Sequence, residues 1–445
     1  MENSTRNISN NSKVVVYKFS VLMFIILLNT NLLRSLKDSI IPLKMGVETL
    51  SFVRIYFEFP ILCALSFIYR ISIKYVPQLI IFRCVIICYL IFISLFFLYC
   101  ACDDAIQSKV QLTKFERSVY FWPYSLIYVM CDLWPVIAYT NFYWELSNRV
   151  FVVKDAKITY PKYFIIGQSN LLISGIIIIA SSVFELQIPG KEIIKFNALI
   201  MWVIMGCFVI IERLYSSLSS HIRTNPSHQI SKRLSFRDIW QKSFFKLMFF
   251  SIIFYYSSIC IIEILCMHYL RQLYHSTTEL MCVHGVSLVS LGVLTVLLSY
   301  VSKRVFCVLS ISVVLKILPL FLLIVGSLGF LSLLYQIEPK YSLLMFLFSF
   351  VLGRGLKYTL YDSAKEIATI PFRVDIKRLG RLLDMLGVGV GRFIAHVLPV
   401  VLFTVFPYAH YGNISGSVII LYLTMVVLLY VVTHRLGKYT ITFSG

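Results

Sequence analysis

Leu32-Leu33-Arg34-Ser35-Leu36-Lys37-Asp38-Ser39-Ile40-Ile41-Pro42 closes an apolar run that begins near Val14, and no polar linker sets Arg34, Lys37 and Asp38 apart from it. Ionisable groups in or beside hydrocarbon cost several kcal/mol unless they face protein or water. If the helix continues through Ile41, Arg34, Lys37 and Asp38 fall within about one turn, so two cations and one anion share a face. Two readings are open. The charges line a polar chamber between helices, or Arg34 and Lys37 snorkel to headgroups at a helix end.

The whole chain has the composition of a membrane protein. Of its 445 residues 59% are hydrophobic and 14% charged, and the mean hydropathy is +0.83. Soluble domains run near 45–50% apolar and about 25% charged. The formal net charge is +20, from 41 basic and 21 acidic residues. That surplus suits anionic lipid or an anionic solute. Nucleic acid is disfavoured, because no soluble domain is left to carry a basic face. The 11 cysteines lie mostly within apolar runs and form no CxxC, so buried thiols are expected rather than metal ligands or disulfides. Residues 1–13 read as a short, polar, disordered cytoplasmic tail, with no cleaved signal before the first span.

A span needs ~20 apolar residues. About twelve candidates recur, at 14–36, 52–73, 77–100, 118–146, 162–186, 194–213, 243–268, 279–300, 304–335, 341–363, 383–407 and 416–434. The fourth and ninth are long enough to need tilt or a break. Basic residues gather in alternate loops: Arg70 and Lys74; Arg149, Lys154, Lys157 and Lys162; Arg213 through Lys242; Lys303 and Arg304; Arg373 through Arg381; Arg435 and Lys438. The opposite loops are acidic, mixed or uncharged. This positive-inside pattern puts both termini in the cytoplasm. The expected fold is all-α and integral to the membrane, with two six-helix bundles, major-facilitator-like, around a central cavity. Its parts are a tail at 1–13, a bundle at 14–213, a basic linker at 214–242, a second bundle at 243–434 and a tail at 435–445.

Further charges lie inside the spans. Arg54 has Glu58 one turn on. Asp132 precedes Trp134 and Pro135, which should kink its helix, and Asn141 and Asn148 follow. Glu263 stands alone among apolar neighbours, Lys357 and Asp362 share the tenth span, and Arg392 follows Gly387-Val388-Gly389-Val390-Gly391. Clustered cations with aromatic neighbours suit a multiply charged anion, since Arg holds phosphate bidentately and Lys as a point charge. A raised carboxylate at Asp132 or Glu263 would instead suit proton coupling. Structural pairs, such as Lys37 with Asp132 or Glu263 with Arg392, are the plainest alternative. The glycine string does not end in Gly-Lys-Ser/Thr and does not follow a strand, so close helix packing is expected there. His268, His275 and His284 flank an outer loop without ligand spacing and are expected at the surface; no metal site and no cofactor is expected. No Ser/His/Asp set, HExxH or Walker motif points to an enzyme.

These stretches resemble the ATP/ADP translocase family, the nucleotide transporters of obligate intracellular bacteria and plastids. The matching segments are Leu33-Arg34-Ser35-Leu36-Lys37-Asp38, Cys131-Asp132-Leu133-Trp134, Tyr143-Trp144 through Asn148, Lys162-Tyr163-Phe164 through Asn170, and Lys357-Tyr358-Thr359-Leu360-Tyr361-Asp362-Ser363-Ala364-Lys365-Glu366. The resemblance implies functional charges at Lys37, Asp132, Glu263 and Arg392. Asp132 stands where the family usually has Glu, and Arg392 where it usually has Lys. Both keep the sign of charge and change reach and geometry.

The expected function is therefore nucleotide transport, ATP/ADP antiport with or without phosphate, by a monomer in a cell inner membrane. Lys37, Arg54, Lys357 and Arg392 would hold phosphate oxygens. Asn141, Asn148 and Asn170 would hold base and ribose. Asp132 and Glu263 would pair with the cations when no phosphate is bound. Arg34 and Asp362 are secondary candidates for the site. The alternatives are a carrier of GTP, UTP, CTP or NAD, proton-coupled or exchanging, and a non-transporting receptor or structural protein on the same fold. An intracellular eukaryotic parasite's plasma membrane is the alternative location.

Overall fold

Long apolar runs satisfy their backbone in hydrocarbon only by closing hydrogen bonds within themselves, and among the described residues every regular element is helical. The computed structural model describes residues 2–102, 112–150, 166–186, 192–219, 240, 242–335, 337–369, 374–406 and 415–441. In the first half the helices are α1 (Glu2–Met45), α2 (Thr49–Val53), α3 (Phe59–Tyr75), α4 (Gln78–Cys102), α5 (Lys114–Tyr120), α6 (Trp122–Pro135), α7 (Trp144–Val150), α8 (Asn170–Leu186) and α9 (Glu192–Ser219). In the second they are α10 (Ser243–Leu273), α11 (Thr277–Val308), α12 (Ile311–Phe321), α13 (Ser327–Leu334), α14 (Pro339–Leu356), α15 (Asp362–Thr369), α16 (Val374–Val405) and α17 (Ser415–Ile441).

Eleven helices are long and apolar enough to cross a membrane, and the bent pair Lys114–Tyr120 with Trp122–Ser147 makes a twelfth. The expected twelve-span, all-α reading holds, with shifted boundaries. The fourth span breaks by 86° at Phe121, whose non-helical backbone ends α5 while Pro123 stands in the first turn of the next helix; α5 itself is opened by a capping box, Thr113 with Glu116. The ninth starts at Ile311 rather than 304, since α11 ends at Val308. The sixth runs to Ser219, into the expected linker; the rest of that linker lies outside the described residues except Trp240 and Lys242. The expected disordered N-terminal tail is instead a continuation of α1 back to Glu2. No Pro or Gly interrupts residues 2–41, and extending an existing helix costs far less than nucleating one.

Four π-helical turns interrupt the spans, at Arg54–Glu58, Val136–Tyr143, Leu322–Gly326 and Lys357–Tyr361. Pro60, Pro135 and Pro319 lie beside the first three; each removes a backbone N–H and crowds the carbonyl a turn before it. Such turns swell a helix locally and recur at functional sites. Three of the four carry or adjoin charges singled out above.

Each half builds its own core. Phe19, Leu33, Tyr128, Trp134, Phe142 and Phe208 anchor one, and Ile259, Leu265, Leu318, Phe346 and Tyr422 the other. Large apolar side chains such as Leu95, Ile176, Trp202 and Phe348 stay exposed on the outside, as a lipid-facing surface requires. The halves meet along two lines. On one, α8 crosses α11 at glycines: a Cβ on Gly175 would stand 2.8 Å from the Gly285 carbonyl oxygen. On the other, the second span (α2, its π-turn and α3) lies against α16. There Gly389 faces Leu62, while a Cβ on Gly391 would meet the Ile253 carbonyl oxygen of α10 at 2.6 Å. The glycine string thus serves close packing, as its spacing suggests.

Gly175→Ala is accordingly expected to lower thermal stability in detergent by about 1–3 kcal/mol through overpacking. Gly206→Ala, with no atom within 4 Å of its Cβ position, is expected to raise it by up to about 1 kcal/mol from helix propensity. Unfolding midpoints that move the same way for both would contradict the crossing.

His268 corrects the expectation of surface histidines. It is buried, with Nδ1 3.9 Å from Glu48 Oε1, so it joins the end of the seventh span to the turn after α1. That turn is made by Gly46, whose φ of +88° ends α1 in the left-handed conformation open to glycine.

Candidate functional site

Helix α1 carries Arg34, Lys37 and Asp38 into the middle of the protein, not to its edge. Lys37 is only 1% exposed. Its Nζ lies 2.5 Å from Asp38 Oδ1, 3.4 Å from Asp132 Oδ1 and 4.2 Å from the Tyr128 ring centre. The snorkelling alternative therefore does not hold for Lys37.

Asp132, on α6, is the hub. Besides Lys37, its Oδ2 stands 3.8 Å from Arg54 Nη2 and 3.7 Å from Arg392 Nη1. Arg392, from the other half of the chain, also reaches Glu58 Oε1 at 2.6 Å. Arg54 stands 3.8 Å from Glu58 Oε2 and 4.0 Å from Glu263 Oε1. Glu263 is not paired with Arg392; its nearer cation is Arg354, at 3.5 Å, whose guanidinium lies 3.9 Å over the Phe350 ring. Cations Lys37, Arg54, Arg354 and Arg392 thus balance carboxylates Asp38, Glu58, Asp132 and Glu263, all buried. Pairing is what makes so many charges tolerable in a low-dielectric interior.

The balance is incomplete in two respects. Arg54 Nε, Glu58 Oε2 and Asp132 Oδ2 are buried without a hydrogen-bond partner among the described residues, so the network keeps unspent donor and acceptor capacity at its centre. Arg34 has no ion pair among the described residues. It is half-buried within electrostatic reach of Glu263, Tyr358, Asp132 and Asp38, and leaves the centre one positive charge in surplus.

The other expected residues fall nearby or elsewhere. Lys357 pairs with Asp362 at 2.7 Å in a wetter layer, where their side chains are 13% and 23% exposed. Tyr255, Tyr256 and Tyr358 surround its ammonium at 5.1–5.6 Å. Lys365 with Asp384, at 2.9 Å, continues that layer. Lys357 therefore adjoins the hub without joining it. Asn141 is buried at the meeting of the halves, its Nδ2 3.1 Å from Met385 Sδ. Asn170 is not brought to the cations: its Oδ1 accepts from Asn31 Nδ2 at 2.6 Å and its own Nδ2 donates to the Gly167 carbonyl. The Asn148 side chain lies outside the described residues.

Sequence reasoning passed over Arg354 and His396 and assigned Glu58 no role. Spacing held the signal for each: Arg354 lies three residues before Lys357, His396 four after Arg392, Glu58 four after Arg54. Helical neighbours of a buried charge face the same way.

Two six-helix bundles joined at their middle by a buried network of paired charges define a membrane carrier of the major-facilitator type. The chain belongs to the TLC ATP/ADP transporter family, whose model matches residues 8–439; it is a membrane transporter and not an enzyme. It is 25% identical over 448 residues to ADP,ATP carrier protein 4 of Rickettsia typhi, covering 91% of this chain and 87% of that one. It is 22% identical over 458 residues to ADP,ATP carrier protein 3 of Rickettsia bellii, covering 92% and 90%. In fold it is similar to a bacterial homologue of the iron transporter ferroportin in its inward-facing state, with TM-score 0.63 at 14% identity over 95% of this chain and 99% of that one. It is equally similar to the proton:xylose symporter XylE, with TM-score 0.63 at 10% identity over 94% and 95%.

Proposed function

We propose that this transporter exchanges ATP for ADP, and that the polyphosphate binds by replacing the internal carboxylates around Lys37, Arg54 and Arg392. The observation that carries this reading is Asp132, held by cations from both halves of the chain. A phosphate oxygen has the same charge and acceptor geometry as a carboxylate oxygen, and arginine accepts either bidentately. With nucleotide absent, Asp132, Glu58 and Glu263 neutralise the cations. With nucleotide present, the phosphates take over those contacts, the cross-pairs are released, and the bundles rock about the site. An empty site without its pairs would leave buried cations uncompensated, which is slow to cross, so exchange is obligatory. Arg34, the surplus cation, gives an incoming anion a partner without first breaking a pair. Tyr128, Tyr256 and Tyr358 offer aromatic faces for the base.

On the same reading the protein works as a monomer in a cell inner membrane, and the positive-inside pattern supports both termini being cytoplasmic. The two bundles, 14–213 and 243–434, act as the moving units.

Proteoliposomes preloaded with ADP are expected to take up labelled ATP at least about tenfold faster than empty ones, as obligatory exchange requires. Equal rates would overturn exchange. Uptake driven by an imposed pH gradient, and lost in Asp132→Asn, would favour the proton-coupled alternative, and a panel of ATP, ADP, GTP, UTP, CTP and NAD decides the substrate.

A further inference from the structure

Arg54 is surrounded by carboxylates and hydrogen-bonded to none of them. Glu58, Asp132 and Glu263 stand 3.8–4.0 Å away. The one side-chain hydrogen bond of its guanidinium among the described residues runs to His396 Nε2, at 2.7 Å. His396 is 1% exposed, sits one turn beyond Arg392 on α16, and has its Nδ1 2.8 Å from Ser51 Oγ on α2. Both contacts cross between the halves of the chain.

Donor chemistry settles the protonation of this ring. A guanidinium carries donors only, so His396 Nε2 accepts and bears no proton. The proton of the neutral ring is then on Nδ1, which donates to Ser51 Oγ. A second proton would set an N–H on Nε2 against the N–H of Arg54, adding a like charge where Arg392 already stands close. Around the ring Arg54, Glu263 and Asp132 face it from other helices, with Arg392 on its own; Glu58 is bound to Arg392 on the same side.

We propose that His396 is the positioning residue for Arg54, and that the second span closes against α16 only over a neutral His396. When the two spans part, both hydrogen bonds break together. The freed imidazole takes up a proton in the ordinary histidine range, and must lose it before Arg54 returns to its place. Arg54 is thus presented to substrate by a group that senses pH, and acid slows the closing step. The inference rests on the transport reading for its assay, but not on which nucleotide is carried.

The test uses the full chain in proteoliposomes loaded with ADP, at equal pH inside and out from 5.5 to 8, for wild type, His396→Gln and His396→Ala. A glutamine amide supplies an acceptor oxygen and an NH₂ donor group and cannot take up a proton in this pH range. Nucleotide phosphates also titrate near ~6, so the ratio of wild-type to His396→Gln rates is the readout. That ratio is expected to fall by up to about tenfold per pH unit below ~6.5. A constant ratio would overturn the proposal. At pH 8, His396→Ala is expected to raise KM about tenfold by leaving Arg54 without its partner, the weight of a charged hydrogen bond, with His396→Gln restoring it; an unchanged KM in His396→Ala would also overturn it. A second measurement needs no transport. A ring that must be neutral in the closed fold withdraws stability as pH falls, so the Tm of wild type minus that of His396→Gln in detergent should drop toward acid. A flat difference counts against the proposal. A drop with no uptake of any nucleotide by wild type would sink the nucleotide reading and leave His396 standing.

Discussion

Arg392→Met is expected to abolish uptake and to destabilise the protein by about 3–5 kcal/mol, the cost of stranding a buried charge. The group that loses its hydrogen-bonded cation is Glu58, whose Oε1 lies 2.6 Å from Arg392 Nη1 and which is left only with Arg54, 3.8 Å away and not hydrogen-bonded, while Asp132 keeps Lys37 and Arg54. Adding Glu58→Gln removes the orphaned charge, and neutral replacement of a whole buried pair is often close to isoenergetic. The double variant is therefore expected to recover most of the lost stability and none of the transport. Thermal unfolding in detergent and labelled ATP uptake, each normalised to protein incorporated, separate the two effects. A double variant as unstable as the single one would show that the pair is not what Arg392 stabilises. Normal uptake by the double variant would remove Arg392 from the substrate site.

Lys37→Met is the companion experiment. Its side chain is as buried as that of any aliphatic core residue, and methionine is similar in length, so packing against Tyr128 is largely retained. What goes is the charge. Truncating a buried, hydrogen-bonded cation costs about 2–5 kcal/mol of binding, so uptake should fall at least about thirtyfold, with a matching loss of ATP affinity by calorimetry. Lys37→Arg keeps the charge but must fit a larger head 4.2 Å above the Tyr128 ring, and is expected to transport weakly. Wild-type uptake in Lys37→Met would mean that the ammonium only balances Asp38 and Asp132.

Much of this site was legible along the chain because charges inside an apolar run are costly and therefore conspicuous. Lys37, Arg54, Asp132, Glu263 and Arg392 stand out for that reason, and they do meet. Their partners were not legible in the same way. Glu263 finds Arg354 and Arg54 rather than Arg392, a choice made by how α10 packs on α14, where a Cβ on Gly353 would stand 3.2 Å from Ile259. Asn170 carries the right chemistry for a base or ribose, yet α8 turns it toward Asn31. His268 looked like a loop residue because its span ends there, and burial followed from contact with the turn of another helix.

From the sequence alone come the solvent the protein lives in, the dozen helices and the sign of the charges that interrupt them, because transfer from water to hydrocarbon is a property of each segment by itself. Tertiary structure decided who pairs with whom, that Arg54 is held by a neutral His396 from the opposite half, and that Lys357 belongs to a wetter layer beside the hub. Those are distances between helices far apart in the chain, set by packing of small residues and local π-turns, and no hydropathy pattern encodes them.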